Sequence, residues 1–312
     1  MTVNIQKFLD VGHISSFIRL VNCVFGYSDK QLPGFHLDFS RVERADLLGV
    51  LLTYKVLEYS TVHRCFTAPS HNIYRNSIMM DTIEKFGFED LIRSLMSDKS
   101  NRITKEYKNL QVKNENDCVI APIALLRTEH YHSELVIKNK YEPIITGFYQ
   151  NDDVVEMILE VFTEIMHNFW AHATVDEKSI ITGYGNKSYF EIACVDNGLG
   201  IDGTIHSSFP KYSGGKALSH AMSRGVTSKN GSNHMGYGLW FINEIVSRTN
   251  GVLYIISNNA IFTNANGKHG VQDSPNWHGT IVYIKIPLAC PVTIKDVEED
   301  HGELNEININ FI

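Results

Sequence analysis

The chain has 312 residues, 43% hydrophobic and 20% charged, with a formal charge of -7, which is the composition of a soluble globular protein long enough for two domains with sizeable cores. It has no basic arm or Lys/Arg block, so no nucleic-acid surface is expected. The first seven residues lack the pattern of a signal peptide, residues 47–52 are too short an apolar run to cross a bilayer, and Cys23, Cys65, Cys118, Cys194 and Cys290 form no CxxC pair, so we expect a cytoplasmic protein with reduced thiols and no membrane partner.

In chain order, residues 35–39 read as a short strand. A helix follows over 43–59, where Leu47, Leu48, Leu51 and Leu52 recur at helical spacing. A second helix is expected over 88–96 and a buried strand over 118–126, with the polar stretch 97–117 as a connector. This alternation predicts a smaller α/β domain over 1–145. From residue 152 a long helix presents Val155, Ile158, Leu159, Phe162, Ile165, Met166, Phe169 and Ala173 on one face. Residues 179–184 and 188–195 alternate as paired strands around a turn at Gly185-Asn186. A Gly/Ser-rich stretch, 198–233, contains a short helix near 216–223. A helix over 237–249 stops at Asn250-Gly251. Strands over 252–257 and 280–286 complete a second domain, 146–290. The remainder, 291–312, reads as an acidic tail whose last residues, 306–312, alternate like an edge strand.

Four groups of residues carry candidate chemistry. Glu164, Asn168 and His172 stand at i, i+4 and i+8, on a stripe largely away from the apolar face. An amide oxygen suits Mg²⁺, and a carboxylate can orient or deprotonate the group that attacks a γ-phosphate. Alone, the stripe reads more simply as a solvated helix face. Asp196, at a strand end in Asp196-Asn-Gly198-Leu-Gly200-Ile201, can accept from an adenine amino group, while Gly198 and Gly200 let the backbone pass close to a base. Alone, it is equally a turn. Gly236-Tyr237-Gly238-Leu239 leads into a helix, whose N-terminus attracts phosphate. Gly279-Thr280 enters the last strand.

As an ordered set, these four groups resemble the GHKL superfamily of gyrase, heat-shock chaperone, histidine-kinase and mismatch-repair ATPases. The resemblance covers residues 146–290. It implies an α+β class with a two-layer α/β sandwich, the Bergerat fold, and ATP and Mg²⁺ as cofactors. It assigns Glu164 as general base and Asn168 as the metal ligand. It assigns adenine to Asp196 with Gly198, Gly200 and Ile201, phosphate to Gly236, Tyr237, Gly238 and Leu239, and the closing Gly-Thr to Thr280. Residues 203–235 would form a mobile lid, in which Arg224 and Lys229 are candidate phosphate contacts. The Glu-xxx-Asn-xxx-His spacing looks most like the anti-sigma-factor serine kinases, and the strand and helix over 35–60 are faintly similar to the STAS-like domains that accompany them.

Other conspicuous residues take plainer readings. His130 and His132, beside Glu129 and Glu134, alternate on an exposed segment. Trp170 and Trp240 read as packing aromatics and Cys194 as a buried strand residue. Ser213-Gly-Gly-Lys216 lacks the remainder of a Walker motif. The leading expectation is a Mg²⁺-dependent ATP-binding regulatory protein that hydrolyses ATP or transfers its γ-phosphate slowly, and that acts on a protein partner or as a homodimer. A non-hydrolysing ATP-gated interaction module and a protein serine kinase of the anti-sigma-factor type stay open.

Overall fold

The computed structural model describes residues 2–25, 35–62, 70–97, 116–126, 135–172, 178–226 and 236–300. The N-terminal part comprises β1 (Thr2–Asn4), β2 (Phe8–Leu9), α1 (Ile14–Phe25), β3 (His36–Asp38), β4 (Arg44–Ala45), α2 (Leu47–Val62), β5 (Ser70–His71), α3 (Ser77–Lys85) and α4 (Glu89–Ser97). Strands β1, β3 and β5 pair in parallel in that order, and β2 pairs in parallel with β4. Next come β6 (Cys118–Leu126), α5 (Glu142–Tyr149), α6 (Asp152–His172), β7 (Lys178–Gly185) and β8 (Tyr189–Val195). The chain continues through α7 (Gly200–Ser208), α8 (Gly215–Ala221), α9 (Gly238–Arg248), β9 (Val252–Ala265), β10 (Lys268–Pro287) and α10 (Ile294–Asp300).

Strands β6–β10 form one antiparallel sheet in the order β6-β7-β8-β10-β9. Successive side chains of a strand face opposite sides, and both sides of this sheet are covered. Ala193 and Val195 of β8 join a core with Phe17, Val21 and Leu51 of α1 and α2. Ile192 and Cys194 join a second core with Ile158, Phe162, Ile242 and Ile245 of α6 and α9. The result is a mixed α/β protein in three layers, helices on both sides of the sheet.

This arrangement corrects the division of the chain at residue 145. β6, counted by sequence with the first half, pairs with β7 from Cys118↔Gly185 to Leu126↔Lys178. The N-terminal helices share one core with the outer face of that sheet. The stretch from 291 is likewise not all tail. Val292 and Val297 are buried in the second core, and Arg248 of α9 donates to the Asp296 carbonyl at 2.6 Å. The connector over 98–115 and the edge strand expected over 306–312 lie outside the described residues.

Within the N-terminal layer the expected helix begins later, at Leu47, because Asp46 caps it. Asp46 Oδ1 accepts from Gly49 N at 2.8 Å, and Oδ2 accepts from Val11 N at 2.7 Å. Desolvation pushes the Asp46 carboxyl up to about 6 in spite of these two donors. Because the folded pKa is raised, the folded state holds the proton more tightly. The resulting stability is present below the ordinary Asp range and is lost as pH rises toward about 6. We expect the stability of the wild type relative to Asp46→Asn to fall by about 3 kcal/mol over that window. Urea midpoints of the two proteins at a series of pH values check it, and a constant difference would refute it. No helix among the described residues is long and apolar enough to cross a membrane.

Candidate functional site

Strand register brings two of the sequence-predicted residues, Asp196 and Thr280, to one rim of the sheet. Val195, the last residue of β8, pairs with Ile180 near the start of β7 and with Ile281 of β10. Asp196 and Thr280 therefore emerge side by side, and Ser257 of β9 pairs with Thr280. α6 packs against β8 and against α7. α9 runs back from the rim. Asn250, at φ 54, and the 2.8 Å bond from Gly251 N to the Val246 carbonyl end α9 and turn the chain into β9, as Asn250-Gly251 predicted.

The acid and amide of α6 meet the start of α9 at Gly238. A Cβ on Gly238 would collide with Glu164 Oε2 and would lie 3.2 Å from Asn168 Nδ2. Glycine is thus what allows the α9 backbone to reach both side chains. Desolvation raises the Glu164 carboxyl above its ordinary value. Asn168 Nδ2 is buried with no hydrogen-bond partner among the described residues. Tyr237, the residue before α9, provides no side-chain cap to the first N–H groups of the helix. Gly236 has φ +73 and is packed against the Val226 carbonyl carbon, where a Cβ would come within 2.6 Å, and Gly225 N donates to the Gly236 carbonyl at 3.1 Å. Gly225 and Val226 thereby meet Gly236 at the C-terminal side of the expected lid. Its described part holds α7 and α8, while 227–235, with Lys229, lie outside the described residues.

At Asp196 the geometry is set by backbone donors. Oδ1 accepts from Gly198 N at 2.7 Å and from Thr280 N at 3.3 Å, and Asp196 N donates to the Thr280 carbonyl at 3.0 Å. Gly279, at φ +118, lies against the Asp196 carbonyl where a Cβ would collide. Gly200, at φ +75, similarly has Asn258 Oδ1 and Ser257 Oγ in the place of a Cβ. Ile201 N donates to Ser257 Oγ at 2.7 Å, and Ser257 Oγ donates to the Gly279 carbonyl at 3.2 Å. Trp277 Nε1 donates to the Asp196 carbonyl at 3.0 Å.

Sequence reasoning missed Ser257, Asn258 and Trp277. One signal pointed toward them, the hairpin dipeptide Asn266-Gly267, whose φ values of 54 and 71 join a β9 and β10 far longer than expected. Ile201 and Leu239 connect the two halves of the rim. Both pack against the second core and against the small cluster of Ile205, Ala217 and Ala221.

Other candidates fall in place individually. Cys194 is buried, with Sγ 3.1 Å from Ser179 Oγ. Lys216 is exposed. The Arg224 guanidinium lies 5.4 Å from the Tyr237 ring centre and 5.1 Å from that of Trp240. His130 and His132 lie outside the described residues, as do the side chains of Trp170 and His172. A cavity of about 700 Å³ opens beside the rim between α5, α6, α9 and α10. Glu164 lines it, whereas Asn168 and Asp196 do not. No group of three or more His, Cys, Asp or Glu side chains placed for a metal ion occurs among the described residues. Comparison of the sequence with protein-family models and with curated proteins finds no match.

Proposed function

We propose that this chain is a cytoplasmic, Mg²⁺-dependent ATP-binding regulatory protein whose sheet β6–β10, with α6 and α9 on one face, is a Bergerat-type GHKL domain. The observation that carries the reading is the convergence of Glu164 and Asn168 on Gly238 at the N-terminus of α9. A carboxylate, an amide and a helix start without a side-chain cap form a set suited to a phosphate chain and its metal.

The residues present fit the two cofactors. Asn168 has a buried amide atom still to be satisfied, and its amide can turn to direct oxygen at a cation. A Mg²⁺ ion that keeps several waters and takes phosphate oxygens needs only one or two protein ligands, so an acidic cluster is not required. Bound there, the ion supplies charge neutralisation on the phosphate oxygens. Gly236–Leu239 offer backbone N–H groups to the phosphates. Asp196, oriented by Gly198 N and Thr280 N, holds its carboxylate toward the base, with Gly200 and Ile201 beside it. Glu164 holds the proton taken from an attacking water or hydroxyl. The N-terminal layer shares a core with the sheet that carries Asp196, which gives it a mechanical route to the nucleotide.

A melting experiment with ATP and Mg²⁺ tests the reading. At 100-fold excess over Kd, ATP should stabilise the protein by roughly 2.7 kcal/mol. Asp196→Asn should abolish the shift while leaving the apo protein folded, because Asn keeps the Oδ1 acceptor for Gly198 N and Thr280 N. No shift in the wild type, or an undiminished shift in the variant, would overturn the proposal. The fate of γ-labelled phosphate then assigns the activity: free phosphate means hydrolysis, label on protein a kinase, and neither a nucleotide-gated interaction module.

A further inference from the structure

The cavity between α5, α6, α9 and α10 meets the nucleotide reading at Glu164, Tyr237 and Arg224, and the rest of its lining is not used by that reading. Its floor is apolar, with Leu159, Phe241 and Val297, and Ile294 contributes an exposed aliphatic side chain at its edge. Around this floor stand Glu142, Asp152, Glu156, Glu160 and Glu164, against the single guanidinium of Arg224. That guanidinium lies over the rings of Tyr237 and Trp240, so the aromatic wall already receives one cation of the type the acidic rim would attract. Along α6 the lining runs from Asp152 to Glu164, a span of roughly 18 Å or about three helical turns.

We infer that this groove docks a basic amphipathic helix of a protein partner, its apolar stripe on the floor and its Lys or Arg side chains at the acidic rim. Charge complementarity selects the partner, and the length and apolar floor select a helix over a small cation. A helix seated there ends beside Glu164, which brings the partner to the proposed phosphate-handling residues. Binding itself does not require the nucleotide.

A display library of random peptides long enough for three helical turns is selected against the wild-type chain without nucleotide. Enriched peptides should be basic, with apolar residues at i, i+3, i+4 and i+7. Fluorescence anisotropy of the tightest one should show at least tenfold weaker binding to Glu142→Lys/Glu156→Lys, two exposed positions. The neutral pair Glu142→Gln/Glu156→Gln should weaken it in the same direction while melting as the wild type does, so that lost charge and not disturbed folding accounts for the loss. Asp81→Lys/Glu84→Lys, exposed on α3, should bind within twofold of wild type. So should Asp196→Asn, which separates this groove from the nucleotide site. Failure to enrich, enrichment of peptides without positive charge or apolar periodicity, or equal losses in the groove and α3 charge-reversal variants would overturn the inference.

Discussion

Glu164→Gln is expected to retain ATP binding and to lose ATP turnover by about 100-fold or more, the range for removing a positioned general base. Gln has the shape of the carboxylate that fills the space a Gly238 Cβ would occupy, so the contact with α9 survives. What is lost is the ability to take a proton. Desolvation raises the pKa of Glu164, which brings its basicity closer to neutral pH, where a general base works best. Only the deprotonated form acts as base, so wild-type turnover should rise with pH along a limb above the ordinary carboxylate range. In the Gln variant that limb should vanish. The same burial predicts that the variant melts no lower than wild type at neutral pH, since it removes a charge held in a desolvating environment. Steady-state phosphate release across pH, with a melting curve for each protein, measures all three. Equal turnover in both proteins, or no turnover in the wild type, removes the base from the mechanism and leaves nucleotide binding to be judged on Asp196.

The parts of this architecture that were legible in the sequence are those whose signal is local. α6 follows from apolar spacing over five turns, β7 and β8 from alternation around Gly185-Asn186, and the end of α9 from Asn250-Gly251. Pairing between distant segments left no such trace. β6 looks like any buried strand until its partner, some sixty residues onward, is known. α1 was passed over although Ile14, Phe17, Ile18, Val21 and Val24 repeat at helical spacing and are all buried. α2 reads as one-sided, yet every residue from Leu47 to Ser60 is buried, because helices lie against it and β7 and β8 lie across it. Residue types at fixed spacing singled out Glu164, Asn168 and Asp196 as candidates. Ser257 and Asn258 hold the Gly200 turn by contacts that only the folded sheet creates.

Lys55→Met is expected to destabilise the protein by about 3–5 kcal/mol, a large fraction of the roughly 5–15 kcal/mol that keeps a domain folded. Lys55 and Glu58 form an ion pair at 2.7 Å one turn apart on α2, with side chains 1% and 4% exposed. Tyr54 Oη donates to Glu58 Oε1 at 2.9 Å. Removing the ammonium takes its cation from the Glu58 carboxylate while that carboxylate stays in the core, where desolvation penalises the charge. The magnitude therefore comes from the cost of a buried charge deprived of its cation more than from lost attraction, and this yields a second, opposite expectation. Lys55→Met/Glu58→Leu, which removes both charges at similar volume, should recover most of the loss. Denaturant midpoints for the four proteins of this cycle test the argument; a single-variant loss below about 1 kcal/mol, or a double variant worse than the sum of its parts, would refute it. Because α2 packs on β7 and β8, and β8 delivers Asp196 to the rim, Lys55→Met should also blunt the ATP-induced rise in melting temperature while the double variant restores it. That pairing of effects would tie the buried pair to the geometry of the site through the shared sheet, without any contact between α2 and the nucleotide.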